Sequence, residues 1–227
     1  MNKLLKKSEK KIILSYLETI RRRYINKDIK YFKIICADYQ EIAKKRRKEL
    51  ENQIKVYPNL SDAITKGRVL DDSFVDDYTH YLFSTVIYHS LIVSIFSYFE
   101  TQLKIICDVA QKLYNQKIKP EDLKGESDID GYRKYLDLII NLESASNKLK
   151  IWQTINYYRK LRNLIVHHNS NVKKGESKLY QYIINETEIS LNEKTGFFHI
   201  DKPSYIDKFC DDIKDYLCYL VDELKNK

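Results

Sequence analysis

"YLFSTVIYHSLIVSIFSYF" occupies residues 81–99, nineteen positions without a formal charge. Such a run is long enough to cross a bilayer as a helix. Four serines, a threonine, a histidine and three tyrosines dilute it, however. The apolar pattern also continues past Glu100 into "TQLKIICDVAQKL" (101–113), with no basic cluster to anchor it at an interface. A helix buried in a bundle or at a subunit interface is therefore expected, with no membrane span and a cytoplasmic location.

The rest of the chain extends that reading. Five glycines and three prolines in 227 residues leave long uninterrupted stretches, and 43 % hydrophobic with 32 % charged residues is a globular balance. An all-α fold follows, a helical bundle with one small β-hairpin. Residues 3–56 carry Leu4, Ile12, Leu14, Leu17, Ile20, Ile34, Ile35, Ala43, Leu50 and Ile54 at helical spacing. They predict one long helix, or two broken near Asn26–Lys30. "YPNLSDAITKGR" (57–68) reads as a connection, "DDSFVDD" (71–77) as an acidic helix start, and "KIKPEDLKGESDIDG" (117–131) as a loop. A short helix is expected at 132–143 and a longer one from about Leu149 to His168, lined by Ile151, Ile155, Tyr158, Leu161 and Ile165. Residues 171–178 read as a flexible turn. The stretch 180–200 reads as a hairpin, with strands at Glu188–Leu191 and Phe197–Ile200 around a turn at Asn192–Gly196. A closing helix from Pro203 carries the stripe Ile206, Phe209, Ile213, Leu217, Leu220 and Leu224. Two domains are expected: a basic helical N-terminal extension, 1–70, and a bundle domain, 71–227.

Charge is uneven. Residues 1–57 hold 17 Lys/Arg against 7 Asp/Glu, so this quarter carries +10 of a net +8 and the other 170 residues carry −2. Arg21, Arg22 and Arg23, with Lys44, Lys45, Arg46 and Arg47, are candidate contacts for a polyanion such as RNA; the plainer alternative is a solvated helix surface rich in lysine. No aromatic platform interleaves with them in a recognised RNA-binding pattern. The four cysteines, Cys36, Cys107, Cys210 and Cys218, sit singly in apolar patterns, as buried thiols do in a reducing compartment. No zinc spacing, glycine-rich phosphate loop, nucleophile elbow or carboxylate metal motif is present. His80 and His89 read as core or interface residues, and His199 as packing.

One stretch carries chemistry. "YYRKLRNLIVHHNS" (157–170) ends a helix with Arg162, Asn163, His167 and His168 among core residues Leu161, Leu164, Ile165 and Val166. An arginine fork holds a phosphate and stabilises charge on its oxygens. An imidazole exchanges a proton with a ribose 2′-hydroxyl or a leaving 5′-oxygen. Five residues of α-helix turn about 140°, so Arg162 and His167 do not share a face, whereas Asn163 and His167 do. A second copy of the helix can supply the missing half. The plainer alternative is a helix end whose histidines suit the dipole and satisfy free carbonyls.

"LRNLIVHHN" resembles the Arg-x4–6-His motif of the HEPN superfamily, in its form Arg-Asn-x-x-x-His. The earlier helix with "SIFSYFETQLKIIC", bearing Glu100, fits the same pattern, and the resemblance covers roughly residues 75–225. It implies an α-helical bundle that dimerises through its motif helices. It also implies a metal-independent, cofactor-free endoribonuclease of the toxin or phage-defence kind that leaves a 2′,3′-cyclic phosphate. Arg162 would bind the scissile phosphate, Asn163 would position it, and His167 or His168 would act as acid or base; Glu100 either orients Arg162 or is a lone acidic group satisfied by a tyrosine. An antitoxin or sensor protein is a possible partner. Toxins of this family paired with a nucleotidyltransferase carry a modified tyrosine two residues after the motif histidine; Asn169 stands there. The alternative within the resemblance is a catalytically inactive module that binds nucleic acid or protein.

Overall fold

The computed structural model describes residues 7–56, 82–174 and 177–227. The expected connection at 57–68, the acidic run 71–77, His80, Leu4 and the domain boundary at residue 70 lie outside the described residues. Among the described residues the chain is all-α, with a two-strand hairpin before its C-terminal helix. In order come α1 (Lys7–Thr19), a π-helical segment (Ile20–Asn26), α2 (Lys27–Val56), a second π segment (Leu82–Tyr88) and α3 (His89–Leu113). Then follow α4 (Asp128–Lys134), a third π segment (Tyr135–Ile139), α5 (Lys150–His168), α6 (Ser177–Asn185), β1 (Ile189–Leu191), β2 (Phe198–Ile200) and α7 (Pro203–Asn226).

The chain divides into two compact units. The first comprises Met1–Phe32, Ser94–Asn163 and Lys208–Lys227, the second Lys33–Val93 and Leu164–Asp207. The division falls inside α5.

The first unit is built on aromatic packing. Phe96, Phe99, Trp152, Tyr158, Phe209 and Tyr216 are buried. Tyr158 and Phe209 have ring centroids 4.1 Å apart, and Trp152 and Tyr216 5.7 Å. Ile213, Leu217, Leu220 and Leu224 of α7 are sealed, as their three- and four-residue spacing predicts. Arg133 is the buried charge here. It pairs with Asp130 at 3.1 Å and Asp137 at 3.0 Å, donates to the Ala145 carbonyl, and lies 5.4 Å from the Trp152 ring. A buried guanidinium with its donors satisfied is tolerable where a lone one is not. Helix α4 starts at Asp128, four residues before the expected 132, because Ser127 caps it by accepting from the Asp130 amide.

The second unit packs Leu91, Ile92, Leu164, Val172, Leu179, Ile183, Ile189, Phe198, Ile200, Tyr205 and Ile206. Its hairpin pairs Ile189 with Ile200, Ser190 with His199 and Leu191 with Phe198. The turn is at Asn192–Gly196, as expected. Asn192 accepts from the Lys194 and Thr195 amides through Oδ1, and Gly196 takes φ +75°. A Cβ at Gly196 would sit 2.5 Å from the Val172 carbonyl oxygen, so glycine is required twice over.

Two expectations are corrected. The first part of 180–200 is not strand: Ser177–Asn185 is helix α6, which buries Leu179 and Ile183 one turn apart. Tyrosine and isoleucine favour strands, but an i,i+4 apolar pair with a buried surface to meet selects helix. The N-terminal stripe is also out of phase. Leu17 and Ile20 are buried, but so are Ile25, Ile29 and Cys36, while Ile12, Ile34 and Ile35 are exposed. The π segment at Ile20–Asn26 widens a turn, so residues beyond it no longer continue the α-helical face.

Candidate functional site

Helix α5 carries the motif. Its buried line is Trp152, Ile155, Tyr158, Leu161 and Leu164, whereas Ile151 and Ile165 are only half-buried. The motif side chains flank that line. Tyr158 fixes the helix within the first unit by donating its hydroxyl to Asp212 at 2.5 Å. Burial pushes the Asp212 carboxyl up, and the Tyr158 hydroxyl counters it.

Arg162 and Asn163 belong to the first unit, with Glu100 of α3. All three are half-buried. Arg162 donates from Nη1 to Asn163 Oδ1 at 3.2 Å. Its Nε is buried and has no hydrogen-bond partner among the described residues. An unsatisfied buried donor costs about 1–3 kcal/mol. Burial raises the Glu100 carboxyl above its ordinary range, and the Arg162 charge works against that rise. The structure thus brings Glu100 within electrostatic reach of Arg162.

His167 and His168 belong to the second unit. Both are exposed, on the last turn of α5, where a cation is favoured by the helix dipole. The helix end beyond them is tightly held. Asn169 and Ser170 both take positive φ, +49° and +59°. The Ser170 amide donates back to the Leu164 carbonyl at 2.9 Å, and its carbonyl accepts from the Phe198 amide at 3.0 Å. The buried Ser170 hydroxyl lies 3.1 Å from His89 Nδ1, and the His89 ring packs on Phe198 with centroids 5.5 Å apart. Burial, helped by His199, depresses the His89 imidazole to about 4, so it is neutral near pH 7. His89 Nε2 has no hydrogen-bond partner among the described residues. This His89–Ser170 clasp was missed by sequence reasoning, because 81 residues separate its members and neither belongs to a motif.

The basic candidates divide by what they touch. Arg21 lies 3.1 Å from Asp222, Arg22 2.5 Å from Glu18, Lys45 2.8 Å from Glu41 and Arg46 3.0 Å from Glu49. Of the seven, with Arg23, Lys44 and Arg47 included, all but Arg21 are exposed. His199 pairs with Asp201 at 3.2 Å. The cysteines form no disulfide, and burial pushes Cys36 up to about 11, away from thiolate chemistry. Among the described residues no group of three His, Cys, Asp or Glu is placed to hold a metal ion. One helical stretch there, Thr85–Leu113, is long and apolar enough to cross a membrane, and half of its most apolar window is buried within the protein.

No protein-family model, curated protein or solved structure matches this chain.

Proposed function

We propose that the protein is a metal-independent endoribonuclease of the HEPN type, acting through Arg162 and His167. The observation that carries the reading is the Arg162 guanidinium. It is held by Asn163, yet keeps a buried Nε without an acceptor, five residues before two exposed histidines on one helix. A phosphate oxygen is the acceptor that a half-buried guanidinium suits. In the reaction the ribose 2′-hydroxyl attacks its own phosphorus while an imidazole takes its proton. The 5′-oxygen departs with a proton from an imidazolium, leaving a 2′,3′-cyclic phosphate and a 5′-hydroxyl. Arg162 would hold the nonbridging oxygens as negative charge grows on them. His167 is assigned the proton transfer because it shares a helix face with Asn163; His168 is its immediate alternative. The helix turn between Arg162 and His167 favours a composite site made by two copies of the chain, which would make the active species a homodimer. A toxin or phage-defence role fits a nuclease of this type.

Cleavage of bulk tRNA and phage transcripts by purified chain and by Arg162→Ala tests the proposal. The substitution is expected to cut the rate about 100-fold or more, the scale of losing one preorganised charge on a transition state. Equal cleavage by both proteins, or none by either, would remove it.

A further inference from the structure

The N-terminal segment "RRRYINKDIKY" (21–31) presents an assortment of side chains that charge counting does not reveal. Ile25 and Ile29 point into the first unit and are buried. The Tyr98 hydroxyl donates to the Tyr24 carbonyl, and Phe32 stacks edge-on against Tyr98 at 5.8 Å. These contacts fix the π segment and the first turn of α2, and with them the opposite face. On that face Tyr24 is 41 % and Tyr31 49 % exposed, large apolar rings left to solvent.

The cations around the rings are the unspent ones. Arg21 and Arg22 face Asp222 and Glu18, but Arg23, Lys27 and Lys30 are exposed and have no ion-pair partner among the described residues. Lys27 stands between the tyrosines in sequence, its Nζ 5.8 Å from the Tyr31 ring centroid. A hollow of about 520 Å³ adjoins them, lined by Ser15, Glu18, Thr19, Arg22, Arg23 and Lys27. Its one acid, Glu18, is already engaged by Arg22 and Lys225, which hold its carboxyl below the usual range. π-Helical turns are rare inside α-helices and are found frequently at functional sites.

Exposed rings beside uncommitted cations match single-stranded nucleic acid. Each base offers a π face to a tyrosine, each phosphate a charge to a lysine or arginine, and no particular sequence is needed. A duplex hides its base faces and gains only from the cations. We infer that Arg23, Tyr24, Lys27, Lys30 and Tyr31 form a binding face for single-stranded RNA, with bases stacked on the two tyrosines. The inference deepens the ribonuclease reading by naming the form of RNA the protein holds. It places the hold on residues remote in sequence from Arg162.

The test measures binding of the full chain to a labelled 2′-O-methyl oligouridylate of about 15 nucleotides, which has no 2′-hydroxyl to attack, and to a duplex of equal length. The double variant Tyr24→Ala/Tyr31→Ala is expected to weaken single-strand binding at least about fivefold and leave duplex binding unchanged. Tyr24→Phe/Tyr31→Phe, which keeps both ring faces, should bind as the parent does. Replacing Arg23, Lys27 and Lys30 by Gln should lower the salt dependence of the single-strand constant by about two in log–log slope. A loss below about fivefold in the alanine pair, an equal loss in the phenylalanine pair, or equal losses on the duplex would overturn the inference. So would tyrosine-dependent binding to phosphatidylserine vesicles with no effect on oligouridylate, which would assign the face to a lipid surface. Tyrosine-dependent RNA binding without any cleavage would leave this face standing and remove the ribonuclease reading. Cleavage that ignores both tyrosines would do the reverse.

Discussion

Two long amphipathic runs, α7 at the C-terminus and α1 through α2 at the N-terminus, spend their apolar residues in opposite ways. Along α7, Ile206, Phe209, Ile213, Leu217, Leu220 and Leu224 are all buried, and the exposed Tyr219 is the exception. Along the N-terminal run, Ile12, Tyr16, Tyr24, Tyr31, Ile34, Ile35, Tyr39 and Ile42 are exposed beside a buried minority. Both runs satisfy the helical pattern, so periodicity alone does not say how much of a stripe a neighbour will cover. What differs is the company. Phe209 and Tyr216 of α7 pack against the rings of Tyr158 and Trp152 of α5 and Phe99 of α3, whereas Tyr31 of the N-terminal run meets Lys27 and solvent.

The contrast has a thermodynamic consequence that substitutions can break. Phe209→Ala should cost about 3–5 kcal/mol of unfolding free energy, since it empties the space against Tyr158 at the centre of the first unit. Denaturant unfolding reads this directly, and a loss below about 1 kcal/mol would mean the aromatic core is loosely packed. The next effect comes from the second unit. Above pH 6.5 the His89 imidazole is neutral in both folded and unfolded chain. Between 6.5 and about 4 the unfolded chain takes up a proton that the buried ring refuses, so stability falls as the pH falls. The full loss by the lower limit is about 3 kcal/mol. His89→Gln should flatten this part of the pH profile, whatever it does to the neutral-pH value. The smallest effect is expected at Ile12→Ala, where a 69 % exposed side chain has little burial to lose and the change should stay within about 0.5 kcal/mol. A cost comparable to Phe209→Ala would erase the contrast between the two runs.

Legibility in the sequence follows the same division. The span of α5, the start of α7 at Pro203 and the hairpin turn at Asn192–Gly196 were readable because caps, proline, glycine and strict spacing are local signals. The early start of α4 was readable in principle from Ser127 three residues before Asp130, a cap that the acidic loop composition obscured. Helix α6 was not, because Tyr180, Tyr182, Ile183 and Ile184 favour strand and only burial of Leu179 with Ile183 selects helix. The phase of the N-terminal stripe was hidden by a π segment that leaves no mark in composition. Within the candidate site, Arg162, Asn163, His167 and His168 are legible as a motif. The His89–Ser170 clasp that secures the turn after them depends on a contact across 81 residues, and no spacing rule reaches that far.

The most direct measurement of the central claim is cleavage of RNA with EDTA present, followed by chemical mapping of the new 3′ ends. Proton transfer by His167 with charge held by Arg162 predicts undiminished cleavage and 3′ ends carrying a 2′,3′-cyclic phosphate. Strict dependence on a divalent cation, or free 3′-hydroxyl ends, would contradict it.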